Sequence, residues 1–253
     1  KSNTTSGYNT AFGRATLCAT TTGAGNTASG YAASKLNTTG KCNVAMGYDT
    51  LCANTTGCMN TAIGRGALLA NTTANFNTAV GACALFANTT GHGHTAVGFC
   101  ALLSNTTGLR NTASGYYALQ GNTTGGYNVA MGRYTLAANT TASYNSAVGH
   151  GALRSNTTGC QGIAIGYEAL CSNTTANNNN AVGYRTLRYN TTGTNNTGLG
   201  NGALHDNTTG SYSTAVGSSA LSVNTTGNNQ SFGTFSMSKN TTGTLNNAHG
   251  YAA

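Results

Sequence analysis

The sequence predicts an all-β fold: a β-solenoid (β-roll) of about 15 coils, each 17 residues long, forming an elongated rod. Three observations predict it: a motif that recurs every 17 residues, glycines at fixed positions of that motif, and the absence of proline from all 253 residues. A unit of this length is too short for two packed helices and their turns. Its turn formers and β-branched residues favour short extended segments joined by corners.

The repeat begins with Asn-Thr-Ala-Val-Gly or a close variant. Its starts are residues 9, 26, 43, 60, 77, 94, 111, 128, 145, 162, 179, 196, 213, 229 and 246, with one 16-residue step from 213 to 229. We number positions from 0 at each start and treat residues 1–253 as a single repeat domain. The unit then reads Asn-Thr-Ala-Val/Ile-Gly-x-x-Ala-Leu-x-x-Asn-Thr-Thr-Gly-x-x.

Each coil is predicted to have a short strand near positions 0 to 3 and further strands between positions 7 and 13. Position 4 is Gly in every copy and position 14 is Gly in most, so both are predicted to be corners with positive φ. The aliphatic residues of position 3 and the Leu of position 8 are predicted to point into the core. Ala at positions 2 and 7 indicates a close backbone approach. Stacking of parallel coils at about 4.8 Å would give a rod roughly 70 Å long.

Two aliphatic side chains per coil make a thin core. We therefore expect backbone hydrogen bonds between coils, stacked polar ladders, covalent ties or neighbouring chains to supply further stability. The chain begins and stops within a repeat and has no evident cap, which predicts continuation of the solenoid or end-to-end assembly with copies of itself.

The composition argues against several functions. Lys and Arg number 11, Asp and Glu only 3, and charged residues make up 6% of the chain, against about 25% in ordinary domains. So few carboxylates, at Asp49, Glu168 and Asp206, argue against an enzyme, and no cofactor is expected. The basic residues are scattered singly, which argues against nucleic-acid binding.

Hydropathy predicts no membrane span, because no apolar stretch approaches the ~18 residues that a transmembrane helix needs. The N-terminus has no apolar segment typical of a signal peptide. This predicts that a leader has been removed or that the sequence is a piece of a longer chain.

The Asn-Thr-Thr triplet at positions 11 to 13 is an acceptor sequence for N-glycosylation. An outward-facing row of glycans, the only covalent additions expected, would supply solubility that the weakly charged surface lacks. The alternative is a ladder of hydrogen-bonded Asn flanked by stacked Thr. Two further acceptor sequences, at Asn195 and Asn229, are interpreted as incidental. The predicted sites are Asn3, Asn37, Asn54, Asn71, Asn88, Asn105, Asn122, Asn139, Asn156, Asn173, Asn190, Asn207, Asn224 and Asn240.

The eight cysteines favour an oxidising, extracellular or cell-surface setting. Cys83 and Cys100 both occupy position 6 of consecutive coils and are the first predicted disulfide. Cys42 and Cys58 are nearly in register and are the second. The partners of Cys18, Cys52, Cys160 and Cys171 stay open.

Histidines near the first predicted disulfide allow a metal-site alternative. His92 and His94 could join Cys83 and Cys100 in a zinc cluster, although no Cys-x-x-Cys motif occurs. The other interpretation is a pair of surface histidines at a turn.

Position 5 alternates between Tyr and Arg. An exposed row that covers the corner by stacking is one interpretation, and a stripe that binds carbohydrate or a partner is the other. The row consists of Tyr31, Tyr48, Arg65, Tyr116, Arg133, Tyr167 and Tyr184.

The motif Asn-Thr-Ala-Val-Gly-Tyr-x-Ala-Leu, as in residues 43–51 and 179–187, resembles the head repeats of trimeric autotransporter adhesins and related phage-type tail-fibre repeats. The resemblance covers about half of each coil, and those adhesin repeats are shorter and lack the Asn-Thr-Thr-Gly arm. It implies a surface-exposed β-roll fibre used for attachment.

Three functions follow as expectations. The first is a structural extracellular fibre coated with glycans. The second is an adhesin or tail-fibre shaft that binds a receptor, a saccharide or a cell surface. The third is ice binding, which regular Thr ladders support, although adjacent Thr residues are expected to point to opposite faces.

Overall fold

The computed structural model describes residues 7–253 and shows an all-β β-solenoid. Among these residues there are fifteen strands of three residues each and no helix. The chain divides into two compact units, one ending at Tyr127 and the other beginning at Asn128. The fold class predicted from the 17-residue repeat is confirmed. The single repeat domain stays a prediction.

Each coil contributes one strand, at positions 1 to 3. Strands β1 to β7 of the first unit are Thr10–Phe12, Thr27–Ser29, Val44–Met46, Thr61–Ile63, Thr78–Val80, Thr95–Val97 and Thr112–Ser114. Strands β8 to β15 of the second unit are Val129–Met131, Ser146–Val148, Ile163–Ile165, Asn180–Val182, Thr197–Leu199, Thr214–Val216, Gln230–Phe232 and Asn247–His249.

Within each unit, every strand pairs in parallel with the strand of the next coil. Equivalent residues are partners, as with Thr61 and Thr78, and with Ala62 and Ala79. The predicted vertical register of the repeat is therefore present. The 16-residue step leaves it intact, because Thr214 still pairs with Gln230.

The strands point their middle residue inward and their outer two residues outward. Ala96 is fully buried, whereas Val97 next to it is 39% exposed. The prediction that position 3 points into the core is wrong. Side chains alternate along a strand, so Ala at position 2 takes the inner side and positions 1 and 3 share the outer side.

The core consists of Ala at positions 2 and 7 and Leu at position 8. Eleven Leu residues at position 8, from Leu51 to Leu221, are at most 1% exposed. The inward orientation predicted for position 8 is confirmed, and so is the close approach at the two Ala positions. Because the inward side chains of the strand are small, the interior of the coil is narrow and holds one Leu side chain.

Glycine is required at position 4 by both its φ and its surroundings. Gly98 has a φ of 135°, and a Cβ there would lie 2.5 Å from the carbonyl oxygen of Gly115 on the next coil. The predicted positive φ is confirmed at this position. At position 14 it is wrong: Gly108 has no positive φ, and Ala74, Ala142 and Ala176 occupy the same position.

Positions 7 to 13 contain turns rather than the predicted strands. The residues at positions 6 and 8 have positive φ, for example Cys100 at 54° and Leu102 at 52°, and this conformation interrupts a strand. Backbone hydrogen bonds between coils continue nevertheless. Leu102 N donates to Ala118 O at 3.0 Å, and Thr106 N to Thr123 O at 2.9 Å.

Candidate functional site

The Asn residues of position 11 form a buried asparagine ladder in each unit. Within a unit, the side-chain nitrogen Nδ2 of each Asn after the first donates to the Oδ1 of the Asn one coil earlier, as from Asn71 to Asn54 at 2.9 Å. The same Nδ2 donates to the position-14 carbonyl of its own coil, 3.2 Å away at Ala74. The polar ladder considered as the alternative to glycans is confirmed.

The outward orientation on which the predicted glycosylation depended is wrong. Every ladder member from Asn37 to Asn224 is at most 2% exposed. A glycan is attached at Nδ2, and at Asn71 both hydrogens of this nitrogen have buried partners, Asn54 Oδ1 and Ala74 O. Asn240 is half-buried and donates to Asn224 Oδ1 and Gly243 O. Asn3 lies outside the described residues.

The prediction of an outward-facing side chain is wrong for the twelve fully buried members of the ladders. They are Asn37, Asn54, Asn71, Asn88, Asn105, Asn122, Asn139, Asn156, Asn173, Asn190, Asn207 and Asn224.

The Asn residues of position 0 form a second buried column, here called the start column. Asn60 N donates to Asn43 Oδ1 at 3.0 Å, and Asn60 Nδ2 donates to Ala74 O at 2.9 Å. Ala74 O therefore accepts from both Asn60 and Asn71. A position-14 carbonyl that accepts two such hydrogen bonds recurs along the chain. The two Asn columns together therefore hold the corner of the coil in place.

His94 replaces Asn in the start column and reproduces its hydrogen bonds. Its Nδ1 accepts from Asn111 N at 3.1 Å, as an Asn Oδ1 does elsewhere. Its Nε2 lies 3.1 Å from Asn105 Nδ2, and the ring also bonds to the backbone of Gly108. Burial lowers the pKa of His94 from 6.5 to about 4. The prediction of a surface histidine holds for exposed His92 and is wrong for His94.

The two Thr residues that follow each ladder Asn have different environments. At position 12, Thr106 Oγ1 donates to Thr123 O on the next coil at 3.1 Å, which is the predicted Thr stack. At position 13, Thr107 is exposed. The Thr-Thr pair thus contributes one structural hydroxyl and one surface hydroxyl per coil.

All eight cysteines are free thiols. The predicted Cys42–Cys58 disulfide is wrong, because these residues lie at positions 16 and 15, and the Cys58 thiol instead donates to Thr56 O and accepts from Lys41 N. Cys83 and Cys100 do share a column, but as thiols. Burial, together with Cys83, raises the pKa of Cys100.

The position-5 row is stacked where it has rings on consecutive coils. Tyr31 and Tyr48 have ring centroids 5.0 Å apart, and Tyr167 and Tyr184 have theirs 5.4 Å apart. The guanidinium of Arg185 lies over Tyr184 and forms an ion pair with Glu168 at 3.2 Å. Carbohydrate binding by this row stays a prediction.

The outward positions 1 and 3 of the strands form an uncharged surface in each unit, which we call the strand face. No Asp, Glu, Lys or Arg occupies either position in β1 to β15. Met46, Ile63 and Val97 are each between 38% and 44% exposed there. Sequence reasoning placed these side chains inside, although the Ala between them was a signal for the opposite orientation.

Across residues 7–253, no group of three His, Cys, Asp or Glu side chains is placed to hold a metal ion. The same part of the chain contains no helix of the length and hydropathy needed to cross a bilayer. Comparisons of the chain with protein-family models, with curated proteins and with solved structures find no significant match. The resemblance to adhesin and tail-fibre repeats stays a prediction.

Proposed function

We propose that this chain is a structural, non-enzymatic fibre protein of the cell surface or extracellular space, and that it associates laterally with copies of itself through the strand face. The strand face is the observation that supports this proposal. Its aliphatic side chains recur on successive coils of a unit at one strand spacing, and rows of exposed apolar side chains are typical of interfaces.

The charge distribution favours a second copy as the occupant of the strand face. The chain has a formal net charge of +8, so two copies repel each other wherever their charged positions meet. The charged side chains of the described residues lie at positions 5, 6, 9, 10, 15 and 16. Contact through positions 1 and 3 buries apolar area without bringing like charges together.

Lysines on the strand face test the proposal. Val80→Lys with Val97→Lys puts two charges on adjacent strands, β5 and β6, at side chains that point outward. We expect the unaltered chain at about 50 µM to have a mass in light scattering above the 25.4 kDa of one chain, and the double variant to have the mass of a monomer, because a buried unpaired charge is costly.

A matched control places the same charges on another surface. Thr90→Lys with Thr107→Lys uses the exposed position 13 of the same two coils and should leave the mass unchanged. Circular dichroism should show the same folded signal for both double variants. A monomeric unaltered chain, or equal dissociation of the two double variants, contradicts lateral assembly through the strand face.

A further inference from the structure

A surface slot in the first unit lies at position 16, away from the strand face. On five consecutive coils this position holds Met59, Phe76, Gly93, Arg110 and Tyr127. Because Gly93 has no side chain, a groove of about 470 Å³ opens between Phe76 and Arg110. We call this groove the Gly93 slot.

An aromatic ring and a guanidinium bound the slot on opposite sides. Phe76 is 62% exposed. Arg110 is held in place from behind, since its Nη1 donates to the Tyr127 hydroxyl at 3.0 Å and its Cζ lies 5.5 Å from the Tyr127 ring centroid. His92 and Leu109 complete the walls. The slot thus combines a π surface, a fixed cation and a histidine.

The height of the slot suits one six-membered ring. Phe76 and Arg110 lie two coils apart, or about 9.6 Å at the usual strand spacing. A ring at the level of Gly93 would lie one coil, about 4.8 Å along the stack, from the backbone level of each. Rings on adjacent coils of this unit already stack at such distances, 5.0 Å for Tyr31 and Tyr48 and 5.4 Å for Phe99 and Tyr116.

The charge around the slot selects an anion. Asp49 is the only Asp or Glu in residues 1–127, and it lies at position 6 rather than position 16. A carboxylate entering the slot meets the Arg110 guanidinium, whose N–H groups form strong charge-assisted hydrogen bonds with carboxylates. His92 lies beside it as a second polar partner.

We propose that the Gly93 slot binds a six-membered ring with a carboxylate substituent, held between Phe76 and Arg110. The ring supplies the side chain that Gly93 lacks in this column, and the carboxylate pairs with Arg110. Aryl carboxylates and uronic acids share this chemistry. The inference is independent of fibre assembly, because none of the slot residues belongs to the strand face.

Saturation-transfer NMR on the full chain tests the proposal with benzoate and sodium glucuronate as probes, and with benzamide and glucose as their neutral counterparts. We expect at least one acid to bind with a millimolar Kd and its neutral counterpart to bind at least fivefold more weakly. Binding of benzoate alone assigns an aryl carboxylate, and binding of glucuronate alone assigns a uronic acid. Absence of binding by both acids overturns the proposal.

Filling the slot is the decisive variant. Gly93→Phe places a ring at position 16, where Phe76 on the preceding coil already has a φ of 60°, close to the 74° of Gly93. The new Cβ would lie 3.3 Å from Arg110 Cγ, so the Arg110 stem must shift slightly. We expect this variant to lose binding of the acid. Gly25→Phe makes the same change at position 16 of another coil, with a φ of 70°, and should bind as the unaltered chain does.

Two further variants keep the test informative if Gly93→Phe fails to fold. Phe76→Ala removes an exposed ring and should weaken acid binding at least fivefold. Arg110→Gln should weaken the acid and leave the neutral counterpart unchanged. Binding of the acid with unchanged affinity by either of these variants, or by folded Gly93→Phe, overturns the proposed site.

Discussion

His94 shows how a single residue can satisfy the start column with different chemistry. An imidazole presents an acceptor and a donor at roughly the separation of the two amide atoms of Asn, but only in its neutral form. The bond from Asn111 N occupies Nδ1. Protonation of Nδ1 would therefore replace an acceptor by a donor facing another donor, in a buried position.

The first prediction concerns the pH dependence of stability. Unfolding returns His94 to its ordinary pKa of 6.5 from about 4 in the folded state. Between these values the unfolded chain binds more protons, so the contribution is fully present above pH 6.5 and is lost as the pH falls towards 4. The loss amounts to about 3 kcal/mol. His94→Asn should remove this loss, as measured by urea unfolding at pH 7.5 and pH 4.

Exposed His92 provides the control for this prediction. His92→Asn changes the same residue type two positions earlier and should retain the acid-dependent loss of the unaltered chain. If His94→Asn loses as much stability between pH 7.5 and pH 4 as the unaltered chain, the buried neutral imidazole is not the cause.

Some residue conformations follow from the sequence and others do not. An invariant Gly at position 4 predicted a positive φ, because glycine alone adopts it without a steric penalty. Leu102 has a φ of 52° although Leu disfavours that conformation. Burial of its side chain in the core offsets the strain, and this tertiary effect leaves no local signal in the sequence.

At the scale of the coil, two polar columns add buried hydrogen bonds to a thin side-chain core. The predicted need for stacked polar ladders agrees with the start column and the asparagine ladder. Their position inside the coil was not predicted, because the Asn-Thr-Thr triplet has the same sequence whether Nδ2 faces solvent or a carbonyl. The acceptor sequence gave no information on orientation.

A second prediction tests the asparagine ladder. Asn71→Asp keeps the side-chain shape but replaces Nδ2 by an oxygen that faces Asn54 Oδ1 and Ala74 O. We expect the free energy of unfolding to fall by at least about 3 kcal/mol, since a buried group loses its partners and a charge is introduced. Chemical denaturation at pH 7 measures this loss.

Asn75→Asp is the matched control for the ladder. Asn75 is only half-buried, and its Oδ1 accepts from Cys58 N at 2.6 Å, a bond that a carboxylate retains. Its effect should stay below about 1 kcal/mol, as for most surface substitutions. Equal losses from the two Asp variants would show that the ladder amide contributes no more than a surface amide.

The strand was predicted correctly in position and wrongly in orientation. Asn-Thr-Ala-Val-Gly indicated an extended segment, and the structure has one at positions 1 to 3. With only three residues, one side chain points inward, and the coil is narrow enough to require Ala there. A ranking of side chains by hydrophobicity predicts that Val97 rather than Ala96 points into the core. That ranking ignores how closely the opposite side of the coil approaches the strand.

Across the whole molecule, the distribution of charge is more informative than its total. The formal net charge is +8, yet no Lys or Arg of residues 7–253 lies on the strand face. A surface without charges gains little from electrostatic attraction and loses little to repulsion. Hydrophobic contact is then expected to be the main contribution to the proposed self-association.

This distribution predicts how the assembly responds to salt. Raising NaCl from about 20 mM to 500 mM shortens the screening length severalfold, but the strand face has no charge to screen. The mass measured by light scattering should therefore stay constant over this range at pH 7.5. Dissociation on addition of salt would show instead that pairs of oppositely charged side chains hold the interface.

The asparagine ladders also give each unit an electrical direction. After the first Asn of a unit, each amide donates to the Asn of the preceding coil, so the amide dipoles of one ladder all point the same way. Aligned dipoles add up, as the peptide dipoles of an α-helix do, and place partial positive charge at the end where the numbering is lower. Buried in a medium of low dielectric constant, such a row resembles a helix macrodipole built from side chains.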